Sequence, residues 1–569
     1  MDMGRSARKV RLARRGLDSW KFSLFQILTI NAILVMSFLG YCFIEEGSGA
    51  TLTLAISVSA VIASVFIFIS RRLLFSSCAT MVIVSSIVGV AVLKRSRDNM
   101  TLHSWDLFSF LKEPFSTAGP TELAIGCLVF VMSIFFLVSI YRLEPMSLRS
   151  SWNVMFLMGS LVTATICGSV LPERSHTQFF WDDLHLSNFY RSFHETFDAL
   201  GRGGLVIASG GTDGVVQSAE FICEPAGSPV NIILIHEESV TSPDLFPDLK
   251  FDKGLMKFYE SDDKKVHQLR VETYGGASWL TQFSIFSGVS THSYGSIRNF
   301  VQIFTAGKLK ESLPQVLAAC GYRNIMFTPW RKAFMAMVRF YEGIGFGEIA
   351  DSKVQGNVRE DERDHFFFGN ALNRIEEHLG NSKQPLFLYI ETMSAHGPYD
   401  VVYMPEVVVN GGGPGTPPQM SEYLRRLAMV KMDDDWFRLE LARRFPKERF
   451  LLVRYGDHHP TATMPLLGEF DAVNAEDTHF PIDSPAFITF FATNGVGYLP
   501  PALPSFETVD VPYLGGILLE AARLPIPQSW QKRSQLMETC QGRYWSCPDQ
   551  ATVLDFNRGL ISAEIINVQ

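Results

Sequence analysis

The chain has 569 residues, 47% of them hydrophobic and 19% charged, with a formal net charge of −8. Its mean hydropathy of +0.12 is high for a soluble protein. That length exceeds one compact domain, and the acidic balance, with no basic stripe in the later part of the chain, excludes nucleic acid as a partner.

In chain order, Arg5, Arg8, Lys9, Arg11, Arg14 and Arg15 lead into five nearly uncharged stretches: Phe22–Ile44, Thr51–Ser70, Leu73–Leu93, Thr121–Tyr141 and Asn153–Leu171. At 1.5 Å per residue, about 20 residues cross a hydrocarbon core of roughly 30 Å. Five membrane spans are therefore expected within residues 1–175. The basic start places the N-terminus in the cytoplasm, Arg71, Arg72, Arg142 and Arg149 fall on the same side, and Lys94, Arg95 and Arg97 run against the rule. With an odd number of spans, everything after Leu171 lies outside the cytoplasm. A long first span without a small-residue cleavage site reads as a retained anchor.

Cys42, Cys78, Cys127 and Cys167 lie within spans, where a small apolar residue suffices. Cys540 and Cys547 bracket a short loop and are expected to pair in an oxidising compartment, while Cys223 and Cys320 either pair or stay free. Between membrane and outer domain, Leu186, Phe189, Phe193, Phe197 and Leu200 recur at three- and four-residue steps. That period predicts an amphipathic helix, lying at the lipid interface or packed on a core. It belongs to a connecting segment, 176–227, in which Gly201–Gly204 and Gly210–Gly214 read as flexible linker.

The outer domain, 228–569, alternates strands and helices, and three of its apolar strands run into polar residues. Asn231–Ile235 leads to His236, Glu237, Glu238 and Ser239. Leu386–Ile390 leads to Glu391 and then Ser394-Ala395-His396-Gly397-Pro398. Phe450–Val453 leads to Tyr455-Gly456-Asp457-His458-His459. Open α/β sheets gather functional groups at the carboxyl ends of their strands, so these three ends point to one site. Between them Gly275-Gly276-Ala277-Ser278 predicts a tight turn with Ser278 at a helix N-terminus. A hydroxyl there serves as an N-cap or, beside a metal, as a nucleophile. Glu238 and Asp457 supply carboxylates to such a metal and His458 a nitrogen.

Together these motifs resemble the alkaline phosphatase (sulfatase-like) superfamily, and within it the membrane branch of lipoteichoic acid synthases and phosphoethanolamine transferases. The resemblance implies five N-terminal helices plus an extracytoplasmic α/β domain with a central, mostly parallel mixed sheet. It also implies an integral, multi-pass protein of a bacterial cytoplasmic (inner) membrane with its catalytic domain in the periplasm. Carried over by position, Glu238, Ser278, Asp457 and His458 hold one divalent ion, Mn2+ or Zn2+. Ser278 stands where the family usually has a threonine nucleophile, and His396 faces the substrate or leaving group. His479 is similar to a late histidine of the family, and His236 and His459 flank the ligands as supporting or solvent-facing groups. Ser278-Trp279-Leu280-Thr281-Gln282 lacks the proline and arginine that follow the modified residue of true sulfatases, which speaks against formylglycine chemistry. At the positions where glycerol-phosphate polymerases carry a histidine, a tryptophan and an arginine, this chain has Thr328, Met335 and Met337, with Arg331, Lys332 and Arg339 nearby as alternative anion holders. The implied reaction moves the phospho-headgroup of a membrane phospholipid, by way of Ser278, to a periplasmic or surface glycan or lipid. The alternatives are a hydrolase whose acceptor is water and a non-catalytic scaffold for surface polysaccharide assembly.

Overall fold

The computed structural model describes residues 22–46, 49–98, 102–104, 106–107, 120–145, 150–170, 186–201, 206–210, 216, 221–225, 227–332, 337–356, 362–407, 418–467 and 480–567. By its contacts the chain divides into two compact units, Met1–Arg174 with Gln178–Phe197, and Ser175–Thr177 with Asp198–Gln569.

The first unit contains helices α1 (Leu24–Glu45), α2 (Gly49–Ser70), α3 (Leu73–Asp98), α4 (Pro120–Leu143) and α5 (Ser150–Val170). Ser23 opens α1 through a capping box with Gln26, and the Glu144 carboxylate accepts the Leu74 and Phe75 amides at the start of α3, 2.8 and 2.7 Å away. A negative group there meets the positive end of the helix. Five helices thus stand where five spans were expected, but among the described residues the number that meets the length and hydropathy of a membrane crossing is four, α1 to α4. In α5 the described apolar part, Val154–Ser169, is shorter. Large apolar side chains such as Phe25, Met36, Phe130 and Phe135 face outward, a surface suited to lipid rather than water. Helix α6 (Leu186–Gly201) lays its apolar side on this unit. Leu186 packs with Cys42, Ala55 and Val84, Phe189 with Ala91 and Leu102, and Ser192 and Thr196 bond Ser104.

The second unit is built on an eight-stranded sheet. Its strands are β1 (Asn231–Glu237), β2 (His267–Arg270), β3 (Arg323–Phe327), β4 (Glu348–Ala350), β5 (Leu386–Glu391), β6 (Phe450–Gly456), β7 (Ile488–Val496) and β8 (Thr508–Asp510). The order is β4-β3-β5-β1-β6-β7-β2-β8. Neighbours pair parallel except at β7, which runs antiparallel to β6 and β2. The strands read as unbroken apolar runs because both faces are covered. On one face Ile233, Ile235, Leu388 and Leu452 pack against Phe367 and Leu372 of α8 (Asp364–Asn381) and Phe437 and Leu441 of α9 (Pro418–Arg444). On the other, Tyr389 meets Phe286 of α7 (Ser278–Ser287) edge to face. The central position of β1, between β5 and β6, brings the three motif-bearing strand ends side by side. Disulfides join Cys540 to Cys547, as the spacing suggested, and Cys223 to Cys320.

Candidate metal centre

Alternation along β1 sorts its last residues between the two faces. His236 points toward α7, and Glu238, just past the strand, returns to the same side. Tyr455 lies beside His236 in the β1–β6 register, and Asp457 and His458 follow directly. The chain leaves β6 through Gly456, where a Cβ would meet the Val240 carbonyl oxygen at 1.8 Å. Glycine is therefore what allows Asp457 to approach Glu238 so closely.

Ser278 arrives on a strained turn. Gly275 and Gly276 have φ of 70° and 155°, a region glycine enters freely. Ala277 is also left-handed at φ 65°, which costs a residue with a Cβ about 1 kcal/mol or more. Ser278 is then the first residue of α7, and no side chain caps that end. The start of a helix favours an anion.

Five buried or half-buried side chains converge here. Ser278 Oγ donates to Glu238 Oε2 at 2.9 Å and lies 3.4 Å from His458 Nε2. His458 Nε2 lies 3.3 Å from Glu238 Oε1 and 3.1 Å from Asp457 Oδ2. His236 Nε2 lies 3.2 Å from Glu238 Oε2 and 3.3 Å from Asp457 Oδ2. Ligand atoms of His236, Glu238 and Asp457 fall within 4.8 Å of one another. Bonds of 2.0–2.1 Å around a tetrahedral ion set its ligands roughly 3.3 Å apart, which is the spacing found. Charged hydrogen bonds have similar lengths, so the unpaired atom decides. Asp457 Oδ2 is buried and accepts no aligned hydrogen bond although two imidazole nitrogens stand beside it. Its partner oxygen, Oδ1, takes the Ser239 amide at 2.7 Å. A donor set of two carboxylates, a hydroxyl and imidazole, with an orphaned oxygen at its centre, fits a divalent cation.

Tautomers follow from the neighbours. His458 Nδ1 is 2.9 Å from the His459 carbonyl; a carbonyl only accepts, so Nδ1 carries the proton and neutral His458 offers Nε2 to the cluster. Burial disfavours a charged imidazole there, but Asp457 and Glu238 outweigh it and push His458 up to about 9. Glu238 is held well below the usual carboxylate range; burial opposes this, and hydrogen bonds from His236 and His458 prevail. His236 Nδ1 meets the hydroxyls of Tyr455 and Tyr389 at 2.8 and 3.0 Å.

Of the other expected residues, His396 is half-buried, its Nδ1 2.7 Å from the Gly397 carbonyl, which leaves Nε2 free. It lies near enough to Glu238 for their charges to interact. His459 turns away. Its Nε2 bonds the Ile488 carbonyl and its ring packs on Phe246, and burial lowers it to about 4. Arg331 and Arg339 are exposed, Met335 and His479 fall outside the described residues, and of Met337 only the backbone, at the start of a short helix, is described. Sequence reasoning missed a second layer. Thr392 Oγ1 takes the Glu238 amide at 3.4 Å and bonds the His236 carbonyl at 3.0 Å. Glu391 accepts from Thr328, from the Trp330 indole and from Gln282, and the Trp330 ring stands edge-on to His396. Glu391 itself was the visible signal, an acid ending an apolar strand.

Residues 231–482 match the family model described as Sulfatase. An uncharacterized protein of Haemophilus influenzae is 22% identical over 328 residues, which is 54% of this chain and 56% of that protein; the chain thus spans little more than half the length of that curated relative. Among solved structures, the Streptococcus pyogenes phosphoglycerol transferase GacH, in complex with sn-glycerol-1-phosphate, is similar with a TM-score of 0.46 and 16% identity, over 59% of this chain and 85% of that one. The lipooligosaccharide phosphoethanolamine transferase EptA of Neisseria meningitidis is similar with a TM-score of 0.41 and 13% identity, over 87% of this chain and 99% of that one.

Proposed function

Residues 231–482 belong to the sulfatase/alkaline phosphatase superfamily, and on that premise we propose that the chain is a membrane-anchored, metal-dependent transferase. Its donor is a membrane phospholipid, its cargo that lipid's phosphoglycerol or phosphoethanolamine headgroup, and its acceptor a hydroxyl of a periplasmic or surface glycan or lipid. One observation carries the reading: Ser278 Oγ stands at an uncapped helix N-terminus, 2.9 Å from Glu238 and 3.4 Å from His458.

In this reading Glu238, Ser278, Asp457 and His458 hold one Mn2+ or Zn2+. The bound cation supplies Lewis acidity, which lowers the pKa of the serine hydroxyl and offsets charge on the phosphoryl oxygens. His236 holds the two carboxylates in place, its other nitrogen fixed by Tyr389 and Tyr455. Ser278 Oγ, its proton already given up to solvent, forms a bond to phosphorus as the bond to the diacylglycerol oxygen breaks, and the leaving oxygen takes a proton from His396. The amides at the start of α7 meet the negative phosphoryl oxygens. An acceptor hydroxyl then displaces Ser278 from the same phosphorus, losing its proton to His396, and the serine is regenerated. The apolar helices anchor the chain in the bilayer that holds its donor. Both disulfides suit an oxidising periplasm, and this supports a second unit outside the bacterial cytoplasmic membrane.

The test uses the full-length protein in liposomes with Mn2+ or Zn2+ and labelled phosphatidylglycerol or phosphatidylethanolamine. Metal-dependent diacylglycerol release from one lipid, with a phospho-headgroup adduct on Ser278 that Ser278→Ala lacks, is expected. Release without any adduct would favour direct hydrolysis, and folded, metal-loaded protein that releases nothing would end the transferase reading.

A further inference from the structure

The sheet's carboxyl edge continues beyond the metal centre. Because β7 is antiparallel to both β6 and β2, strand β2 runs parallel to β6 and β1, and β8 pairs parallel with β2. The last residues of β2 and β8, Arg270 and Asp510, therefore open onto the same edge as Asp457. Two strand spacings of about 4.8 Å separate β6 from β2, which is roughly 10 Å.

A cleft lies at that point, lined by Arg270, Glu272, His292, Asp510 and Trp545 over an apolar floor that includes Phe487. Its enclosed part has room for about one water-sized group, and the rest of the cleft is open to solvent. Trp545 is presented by the loop that the Cys540–Cys547 disulfide closes. The half-buried Trp545 and His292 rings run parallel, 5.7 Å between centroids. The adjacent Tyr544 amide is tied to Asp510 Oδ2 at 2.6 Å.

Among the described residues, the cleft leaves a donor of Arg270 and an acceptor of Glu272 unfilled. Arg270 Nη1 bonds Asp510 Oδ1 at 2.9 Å, but Arg270 Nε is buried without a partner. Glu272 Oε2 takes the Ser284 hydroxyl and both the amide and hydroxyl of Thr291, while Oε1 takes none among the described residues. An anion in this cleft would face Glu272 and Asp510, and a cation would face the guanidinium. A hydroxyl both accepts and donates, so it satisfies Arg270 and Glu272 together. An aromatic wall beside such a pair suits a ring with an apolar face and hydroxylated edges.

We infer that this cleft is a saccharide subsite, which takes one neutral sugar residue of the acceptor with its apolar face on Trp545 and a hydroxyl shared by Arg270 and Glu272. It rests on the transferase reading for its purpose, and it names the acceptor as a glycan. The spacing along the sheet edge lets an extended acceptor chain occupy the cleft while a neighbouring hydroxyl reaches Ser278.

The test titrates full-length protein in nanodiscs with short neutral oligosaccharides of glucose, galactose or N-acetylglucosamine, read by tryptophan fluorescence and saturation-transfer NMR. Saturable binding of at least one is expected, weakened about ten-fold by Trp545→Ala and much less by Trp545→Phe. Diacylglycerol release with water as acceptor should be unchanged in both variants. No binding of any sugar to the wild type, meaning a cleft that holds water only, would overturn the inference. So would equal binding by wild type and a Trp545→Ala variant with an unchanged melting temperature. Should Trp545→Ala misfold, wild-type binding that shows no saturation transfer from the tryptophan ring overturns it equally. Sugar binding that depends on Trp545, in a protein that never releases diacylglycerol, would keep the subsite and remove the transferase reading instead.

Discussion

Two buried clusters of acids sit back to back at the end of β1, and they behave differently. On the α7 side, Glu238 and Asp457 converge with His236 and His458 until ligand atoms stand about one coordination edge apart. On the opposite side, Glu237 meets Asp364 of α8 and Asp434 of α9. There Asp434 lies 3.2 Å from the fully buried Arg454, and Arg454 also bonds the Phe258 carbonyl and Asn494. Unpaired buried oxygens occur in both places, yet among the described residues only the first set gathers its ligand atoms within reach of one ion. The second offsets its charge with a guanidinium and by keeping protons. Burial first, then Asp433, raises Asp364 to about 7. The lesson is that convergence, not acidity, marks a candidate metal site.

The largest effect expected is at the proposed nucleophile. Ser278→Ala should lower headgroup release by on the order of 10⁴-fold or more, far beyond its loss of metal, since Glu238, Asp457 and His458 remain, measured as diacylglycerol release at saturating metal beside metal content. Next comes a matched pair across β1. Asp457→Asn should weaken metal binding by at least ~100-fold, more than the loss of a supporting contact would. Asp434→Asn should leave it unchanged and instead lower the melting temperature, because Arg454 loses its buried counter-charge. Equal metal loss in both variants, by calorimetric titration, would erase the distinction between the clusters.

A subtler effect belongs to Asp364. Its Oδ1 accepts the Met393 and Ser394 amides at 2.9 and 2.8 Å, and Oδ2 has no partner. Because its folded pKa is raised to about 7, the folded protein holds a proton between the ordinary carboxyl value of about 3.9 and that pH, where the unfolded chain releases it. Stability therefore falls as pH rises through this window and stays low above it. Asp364→Asn keeps both amide bonds and removes the charge, so it should melt a few degrees higher at pH 8, with the gap closing near pH 4. A gap independent of pH would show that Asp364 is not the titrating group. The smallest change is at Thr392, whose hydroxyl lies between the clusters, 3.3 Å from Glu237 Oε2 as well as beside Glu238. Thr392→Val should weaken metal binding by about ten-fold or less.

Much of the site was legible as strand-end chemistry. Glu238, Asp457 and His458 follow apolar runs directly, and Gly275-Gly276 announced the turn before Ser278. His459 was not legible, because adjacency to a ligand says nothing about direction, and its ring turns toward the Ile488 carbonyl. Nor was Ala277, since nothing in an alanine announces a left-handed backbone. The sheet reads in the same mixed way. Its buried central strands announce themselves as apolar runs, whereas β8 is too short to carry a period and is fixed by pairing with β2.

By itself the sequence determined an apolar helical start, an alternating α/β second part and the residue types able to hold a cation, because hydropathy and period are local properties. Tertiary structure alone decided that His236 joins Glu238 and Asp457, that Arg454 and Asp434 neutralise the far face, and that Arg270, Glu272 and Trp545 share a cleft. Those relations depend on strand order and on which face each side chain takes, and both are set by packing between segments far apart in the chain.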